Sequence, residues 1–433
     1  MTYGNGYLQD IHIDDISSWK EFQNRWLSQE YLSALRMLNP ENYPDLISKY
    51  CSAEYLNNLS NRLYERETDL DPDFKPKRIP VSETPPVLLN GEVYFQETSS
   101  NSYLMFHSST SFTLETNNHA KNWNGTIYYS TDETIWSVWD GITVLSSGNN
   151  NKLFMRGIGN TIISDDTSSF YNPRKYWKIT GSNVKCDGDI RSLLEYQNPN
   201  NAVLGLGCFH GLFYNCEALI EGPTLPSMNL AISCYALMFR GCSNLKVAPN
   251  LPATELKSRC YINMFSSCNS LTSTPNLPAT ILADSCYYGM FAACRNLVSV
   301  TNLPATELAS ACYGYMFANC PSLRIAPSLS HVSVTNSGCY NSMFEGCVAL
   351  NVLPKLNATT LSNHCYQEMF NGCSNIKLSE TQTGEYQFVY RIPFTEEGTA
   401  QINSTLDMFI NTGGSFTGTP VINTVYYTSN III

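Results

Sequence analysis

The chemistry this 433-residue chain could perform is concentrated in its sixteen cysteines, fourteen of which fall in a fixed pattern. Leading cysteines stand at Cys208, Cys234, Cys260, Cys286, Cys312, Cys339 and Cys365. Each is followed eight residues later by a second, at Cys216, Cys242, Cys268, Cys294, Cys320, Cys347 and Cys373. Such a set could form a disulfide ladder, a metal cluster, or a core of reduced thiols packed as small apolar side chains. On a helix a Cys-x7-Cys pair lies two turns apart, about 12 Å along the axis, out of reach of a disulfide within one unit. Neither a Cys-x2-Cys nor a paired histidine occurs, so zinc spacing is missing. Equivalent cysteines on neighbouring units could approach one another as thiols without bonding. The spacing therefore favours reduced core cysteine.

The other candidate groups do not converge. Six histidines are scattered, and the two inside repeat units, His210 and His364, occupy different places within them. Gly-x-Ser-x-Gly, His-Glu-x-x-His and phosphate-loop motifs do not occur. Gly205-x-Gly207 is too short for a dinucleotide fingerprint, and Asp165-Asp166 reads as a turn. Asn58, Asn124, Asn357 and Asn403 match the glycosylation triplet, which carries meaning only in a secreted chain. The chain is expected to be no enzyme and to need no cofactor or metal. A glycan hydrolase is the weakest of the classes considered.

The elements that position the cysteines form a tandem array. Most copies read Cys-Tyr-x-x-Met-Phe-x-x-Cys, then Leu, Pro and Leu-Pro-Ala-Thr, with a period of 26 residues and one of 27 before Cys339. A fixed period of this size means stacked units, since one copy cannot bury its own apolar face. In the unit from Cys234, the residues Cys234, Met238 and Cys242 recur at i, i+4 and i+8, predicting about two turns of helix. Leu245 to Leu251 then alternates as a strand, predicting Lys246 and Ala248 outward and Val247 inward. Parallel pairing of successive strands would give a short sheet opposite a face of helices.

The motif Met-Phe-x-x-Cys-x-x-Leu with a following Pro resembles the BspA-like leucine-rich repeats. Its fuller Cys-Tyr-x-x-Met-Phe…Leu-Pro-Ala-Thr form is similar to repeats in surface proteins of gut bacteria and in fibre or appendage proteins of their phages, crAss-like phages among them. The resemblance covers about 170 residues. It implies a leucine-rich-repeat solenoid that displays a surface rather than one chemistry.

Around the array the chain divides further. Residues 1–67 read as two or three short helices, a helical anchor with Trp19, Phe22, Trp26 and Leu35 on one stripe. A plain helical cap is the other reading of this segment. Residues 68–86 form a Pro-rich linker. Residues 87–185 hold about seven short β-runs, the footprint of a β-sandwich. Its Trp123, Trp136 and Trp139 are either sugar-stacking groups or core aromatics. Residues 186–378 hold the solenoid of seven repeats, and residues 379–433 a C-terminal cap with one degenerate echo at Met408-Phe409. The fold class expected is multi-domain α+β.

Net charge is −11, sequence pI is about 5.1, and no basic run is present, which argues against nucleic acid as partner. No apolar run of 18 residues predicts membrane insertion. The first residues carry no basic or apolar export segment, which predicts a protein made in a host cytoplasm and carried in a virion. The expected function is a non-enzymatic phage structural protein, a head or tail fibre anchored by its N-terminus. Its partners would be capsid, portal or tail proteins and a host-surface glycan or protein, with homo-oligomerisation left open. A bacterial BspA-like adhesin is the alternative. Candidate ligand-binding residues are Lys246, Thr272, Thr274, Arg324 and Asn351, where outward positions change from coil to coil.

Overall fold

A computed structural model describes residues 102–164, 173–329, 336–395 and 397–433 in full, and the backbone of 87–89, 92–94 and 333–334. The chain falls into two compact units, Met1–Ser100 and Asn101–Ile433. In the first, an antiparallel hairpin of β1 (Val87–Leu89) and β2 (Glu92–Tyr94) is described. The expected N-terminal helices, with Trp19, Phe22, Trp26 and Leu35, lie outside the described residues, as does the linker over 68–86.

The second unit begins with two sheets that share one core. The larger has strand order β11-β10-β3-β8-β5-β6: β3 (Leu104–His107), β5 (Thr126–Ser130), β6 (Ser137–Val138), β8 (Lys152–Ile158), β10 (Val184–Asp187) and β11 (Leu219–Glu221). The smaller has order β7-β4-β9: β4 (Thr113–Thr116), β7 (Leu145–Ser146) and β9 (Trp177–Thr180). Alternate residues turn inward as the pleat requires: Leu104 and Phe106, Leu114 and Thr116, Trp177 and Ile179 are buried.

The repeats form no helix, and the α+β expectation is wrong. Helical structure among the described residues amounts to two short 3-10 segments, Ile190–Leu193 and Pro199–Asn201. Backbone hydrogen bonding over the cysteine motif shows why. From Ser233 to Gly241 every second N–H reaches the next unit: Tyr235 N–H donates to Cys260 O at 3.0 Å, Leu237 to Ile262 O at 2.9 Å and Phe239 to Met264 O at 3.0 Å. The intervening N–H groups close tight i→i−3 turns, as from Met238 to Tyr235 O at 3.2 Å and Cys242 to Phe239 O at 3.0 Å. No N–H is left for an i→i−4 helix bond.

The turns return every fourth residue through the left-handed region. Ser233, Leu237 and Gly241 have φ of 56°, 58° and 78°, and the same three places are left-handed in eight successive coils, from Gly207, Gly211 and Asn215 to Asn403, Asp407 and Asn411. A true period of four replaces the helical 3.6, so Cys, Met and Cys fall on one inward edge with Tyr and Phe beside them. Cys234, Tyr235, Met238, Phe239 and Cys242 are all fully buried. Non-glycine residues pay strain in this region, which Gly, Asn and Asp tolerate best.

Stacking the coils stacks their rings. Phe213, Phe239, Phe265, Phe291, Phe317, Phe344, Phe370 and Phe409 form one column with centroids 5.4 to 6.0 Å apart. Phe209 and the tyrosines from Tyr235 to Tyr366 form a second, spaced 5.7 to 6.0 Å. The predicted parallel sheet shrinks to isolated bridges such as Ser273↔Ser299 and Ile325↔Val352 and to two-residue parallel ladders towards the back, Ser333–Val334 with Thr360–Leu361 and Thr360–Leu361 with Thr399–Ala400. The expected architecture of helices opposite a short parallel sheet is thus replaced by coils of tight turns.

Both ends of the stack are closed. At the front, Ile163 and Ser164 N–H donate to Cys208 O, Trp177 N–H to Leu212 O, and β10 pairs in parallel with β11 of the first coil. At the back, Met408-Phe409 belong to a full coil in which Ser404 and Thr412 stand where cysteines stand earlier. Phe370 N–H donates to Met408 O, and Phe409 N–H turns to Gly418 O. A small antiparallel sheet of Leu378–Ser379, Phe388–Tyr390 and Tyr426–Thr428 folds over this end.

The left-handed places also explain a glycine. A Cβ on Gly241, at φ +78°, would lie 1.9 Å from Asn215 Oδ1 of the coil before, whereas one on Gly384, at φ +56°, meets nothing within 4 Å. Gly241→Ala and Gly384→Ala each incur about 1–2 kcal/mol of left-handed strain. Gly241→Ala must in addition displace Asn215. Urea unfolding should show Gly241→Ala as clearly the less stable variant; equal losses would mean the Asn215 side chain does not rest on this turn.

Candidate functional site

The reduced state of the cysteines is built into the coil. All fifteen described cysteines are free and buried. From the second unit on, the second cysteine donates its thiol to the phenylalanine carbonyl one coil earlier, as in Cys242 to Phe213 O at 3.0 Å, Cys268 to Phe239 O at 3.1 Å, Cys294 to Phe265 O at 3.1 Å and Cys373 to Phe344 O at 3.0 Å; in the first, Cys216 donates to Trp177 O at 2.9 Å. The carbonyls of Phe213, Phe239, Phe265 and Phe344 also accept the in-coil turn bond, so the thiol takes the remaining lone pair. Among the described residues no group of three His, Cys, Asp or Glu side chains could hold a metal. No helix among them is long and apolar enough to cross a membrane.

The structure partly rearranges the predicted ligand-binding row. Lys246, Thr272, Arg324 and Asn351 are exposed, each directly after the buried leucine of its unit. Thr274 is not available: it is buried, and its hydroxyl accepts from Thr301 N–H at 2.9 Å. The predicted inward position is instead outward, with Val247 66% and Ile325 53% exposed. The cause is visible at Thr272 O, which accepts from the consecutive N–H groups of Val298 and Ser299 at 3.0 and 3.1 Å. Two adjacent donors on one carbonyl are incompatible with a pleat, so two residues in a row face outward. The row runs Lys246-Val247, Thr272-Ser273, Val298-Ser299, Arg324-Ile325. It ends where Val352 pairs with Ile431 and Asn430 Nδ2 donates to Asn351 O at 3.1 Å.

A second surface lies on the larger sheet. The three tryptophans separate: Trp123 and Trp139 are core, their rings tilted at 30° with centroids 4.9 Å apart, and Trp139 Nε1 donates to Thr143 O. Trp136 is half-buried and packs on Arg156, whose guanidinium lies 3.9 Å from the Trp136 ring and 4.2 Å from that of Tyr196. Strand register places Tyr128 opposite both Arg156 and Val138. Tyr196 is held by its N–H to Gly157 O at 2.8 Å. The turn before Trp136 is tied by Asp132, whose carboxylate accepts from Thr134 and Ile135 N–H and is held down to about 2 by those backbone donors. Trp136 Nε1 closes the loop on Glu133 O at 3.0 Å. Arg156 and Tyr196 carried no signal in the sequence, because they meet Trp136 only through strand register.

No family model, curated protein or solved structure matches the chain.

The remaining candidates stay apart. His107 pairs with Asp187 at 2.8 Å on the surface, and His364 contacts Gln367. His12, His331 and Asp165-Asp166 lie outside the described residues.

Burial raises the core thiols, and Cys216, Cys234, Cys294 and Cys365 are pushed up to about 12, well above the ordinary thiol range. A raised thiol leaves stability intact below the unfolded value and erodes it as the unfolded chain, but not the native one, loses protons. Each such thiol contributes a loss of about 1.4 kcal/mol per pH unit between roughly 9 and 12. The melting temperature should therefore fall steeply across that window. In native protein at pH 8 the buried thiols should resist a thiol reagent, and all should react after denaturation. A flat alkaline profile would show that the cysteines are not protonated core groups.

Proposed function

We propose that the protein is a non-enzymatic phage virion component, a head or tail fibre or appendage. Its stacked coils display a surface to the host cell. The observation that carries this reading is the thiol core. Fourteen buried cysteines lie in register on adjoining coils, and from Cys242 onward those that close each turn act as hydrogen-bond donors to phenylalanine carbonyls. Such a core suits folding in a reducing cytoplasm, followed by release on lysis, better than export through an oxidising compartment. The repeat motif points the same way through its resemblance to BspA-like units of phage fibres. An exported bacterial adhesin with the same repeats is the second reading.

In the proposed arrangement the segment over 1–67, with Trp19, Phe22, Trp26 and Leu35, docks on capsid, portal or tail proteins. The exposed row from Lys246 to Ile325 faces a host glycan or protein. That row is mixed in character, with a cation at each end and valines and hydroxyls between, so any contact there is of modest affinity.

Particles banded on a density gradient should contain the protein, and an antibody should label them at a fixed position. Its absence from the particles, with recovery in bacterial envelope fractions, would move the assignment to the adhesin. Changing Lys246 and Arg324 together to glutamate should lower adsorption to host cells while leaving the melting temperature unchanged. Unaltered adsorption would remove the coil face from consideration.

A further inference from the structure

We propose that Arg156, clamped between Trp136 and Tyr196, forms a binding site for a carboxylate-bearing sugar. The site is distinct from the coil face. Three features carry this. First, the guanidinium has neither an ion pair nor a hydrogen bond to the described residues, and its buried Nε lacks a partner. A buried N–H without an acceptor is costly, and no acceptor for it stands among the described residues. Second, the guanidinium carbon lies over both rings, 3.9 Å from the Trp136 centroid and 4.2 Å from that of Tyr196. Held over two rings and without a hydrogen-bond acceptor among the described residues, the cation keeps its fork of donors for a ligand, and a guanidinium takes a carboxylate in two parallel hydrogen bonds.

Third, the surroundings are apolar and exposed. Ile135 is 72% and Val138 63% exposed, beside half-buried Trp136, so the flat face of a pyranose has a surface on which to lie. Glu133, on the turn before Trp136, accepts from the Tyr103 hydroxyl at 3.1 Å and makes no ion pair with Arg156. A single cation on a chain of net charge −11 favours a ligand with one isolated carboxylate over a polyphosphate or nucleic acid. The clamp is preformed. Asp132 fixes the turn that carries Trp136, and strand register fixes Arg156 against Tyr128, so little ordering is needed on binding.

This deepens the surface-contact reading and rests on it only for the source of the sugar. The test is calorimetry on the full chain with three probes: a hyaluronan tetrasaccharide, the same sugar with its carboxyls reduced to alcohols, and a neutral cello-oligosaccharide. Saturable binding is expected with the carboxylated probe alone. Arg156→Gln should weaken it by at least about tenfold, and Trp136→Ala should weaken it as well. Arg156→Lys keeps the charge but not the fork; it should also bind weakly, and it serves if Arg156→Gln fails to fold. The Lys246→Glu, Arg324→Glu chain should bind as the parent does. Equal binding of the carboxyl-reduced sugar, undiminished binding by Arg156→Gln, or no saturable binding of the carboxylated probe would each overturn the assignment. None of these results bears on whether the protein is found on particles, so the two proposals fail separately.

Discussion

Everything in the repeat region depends on where alternate backbone N–H groups are sent. Half close i→i−3 turns within their own coil, and half cross to the carbonyls of the next. Neither set forms a stable structure alone. A run of tight turns with a left-handed residue every fourth place is strained in isolation, and one coil has no partner for its outgoing donors. Together they satisfy most of the backbone donors along the motif, as a buried chain requires. The strain at Leu237 or Tyr315, both left-handed at 58° and 56° without being glycine, is therefore balanced by hydrogen bonds that exist only in the stack.

That ladder dictates the side-chain chemistry of the core. Successive coils are too close for varied packing, so each column is filled by one residue type. The phenylalanine and tyrosine columns keep interplanar angles of 2° to 24° along the repeats. The closing position of each turn lies against the phenylalanine carbonyl of the coil before and needs a side chain small enough to fit and able to donate. Cysteine meets both demands and adds apolar character. In the final coil Thr412 takes the position, and its hydroxyl donates at 2.8 Å to Phe409 O of its own coil instead of to the coil before. At the front the phenylalanine column passes without interruption into the sandwich, from Phe213 to Trp177 at 6.2 Å and on to Trp139 at 5.4 Å.

What the sequence revealed follows from the same geometry. The 26-residue period was legible because each coil must repeat its neighbour's columns, and the strand runs of the sandwich were legible because their burial alternates. The helix was misread because a spacing of four is close to 3.6, and over nine residues the two differ by less than one position. The signal that separates them is the recurrence of Gly, Asn and Ser immediately before Cys and again four and eight residues later, as in Gly338, Ser342 and Gly346. No amphipathic helix would favour those types there. The outward assignment of Thr274 failed for a related reason: alternation presumes a pleat, and isolated bridges do not supply one. The Arg156 cluster could not be found at all, since Trp136, Arg156 and Tyr196 are brought together by pairing across strands.

The two exposed surfaces therefore differ in kind. On the coils, outward residues can change freely, because the backbone ladder and the inward columns carry the stability. Such a face is suited to variation and to weak contacts repeated along the stack. On the sandwich, Arg156 and its rings are fixed by register, by Asp132 and by the bond from Tyr196 to Gly157. A charged group held that tightly cannot drift without losing its clamp. Because the sandwich and the coils share one continuous core, a ligand held at Arg156 is held at a fixed distance from the coil face. A rigid body with one specific point of attachment and one adaptable flank can add a weak contact to a stronger one at high effective concentration, which raises avidity without requiring either surface to bind tightly.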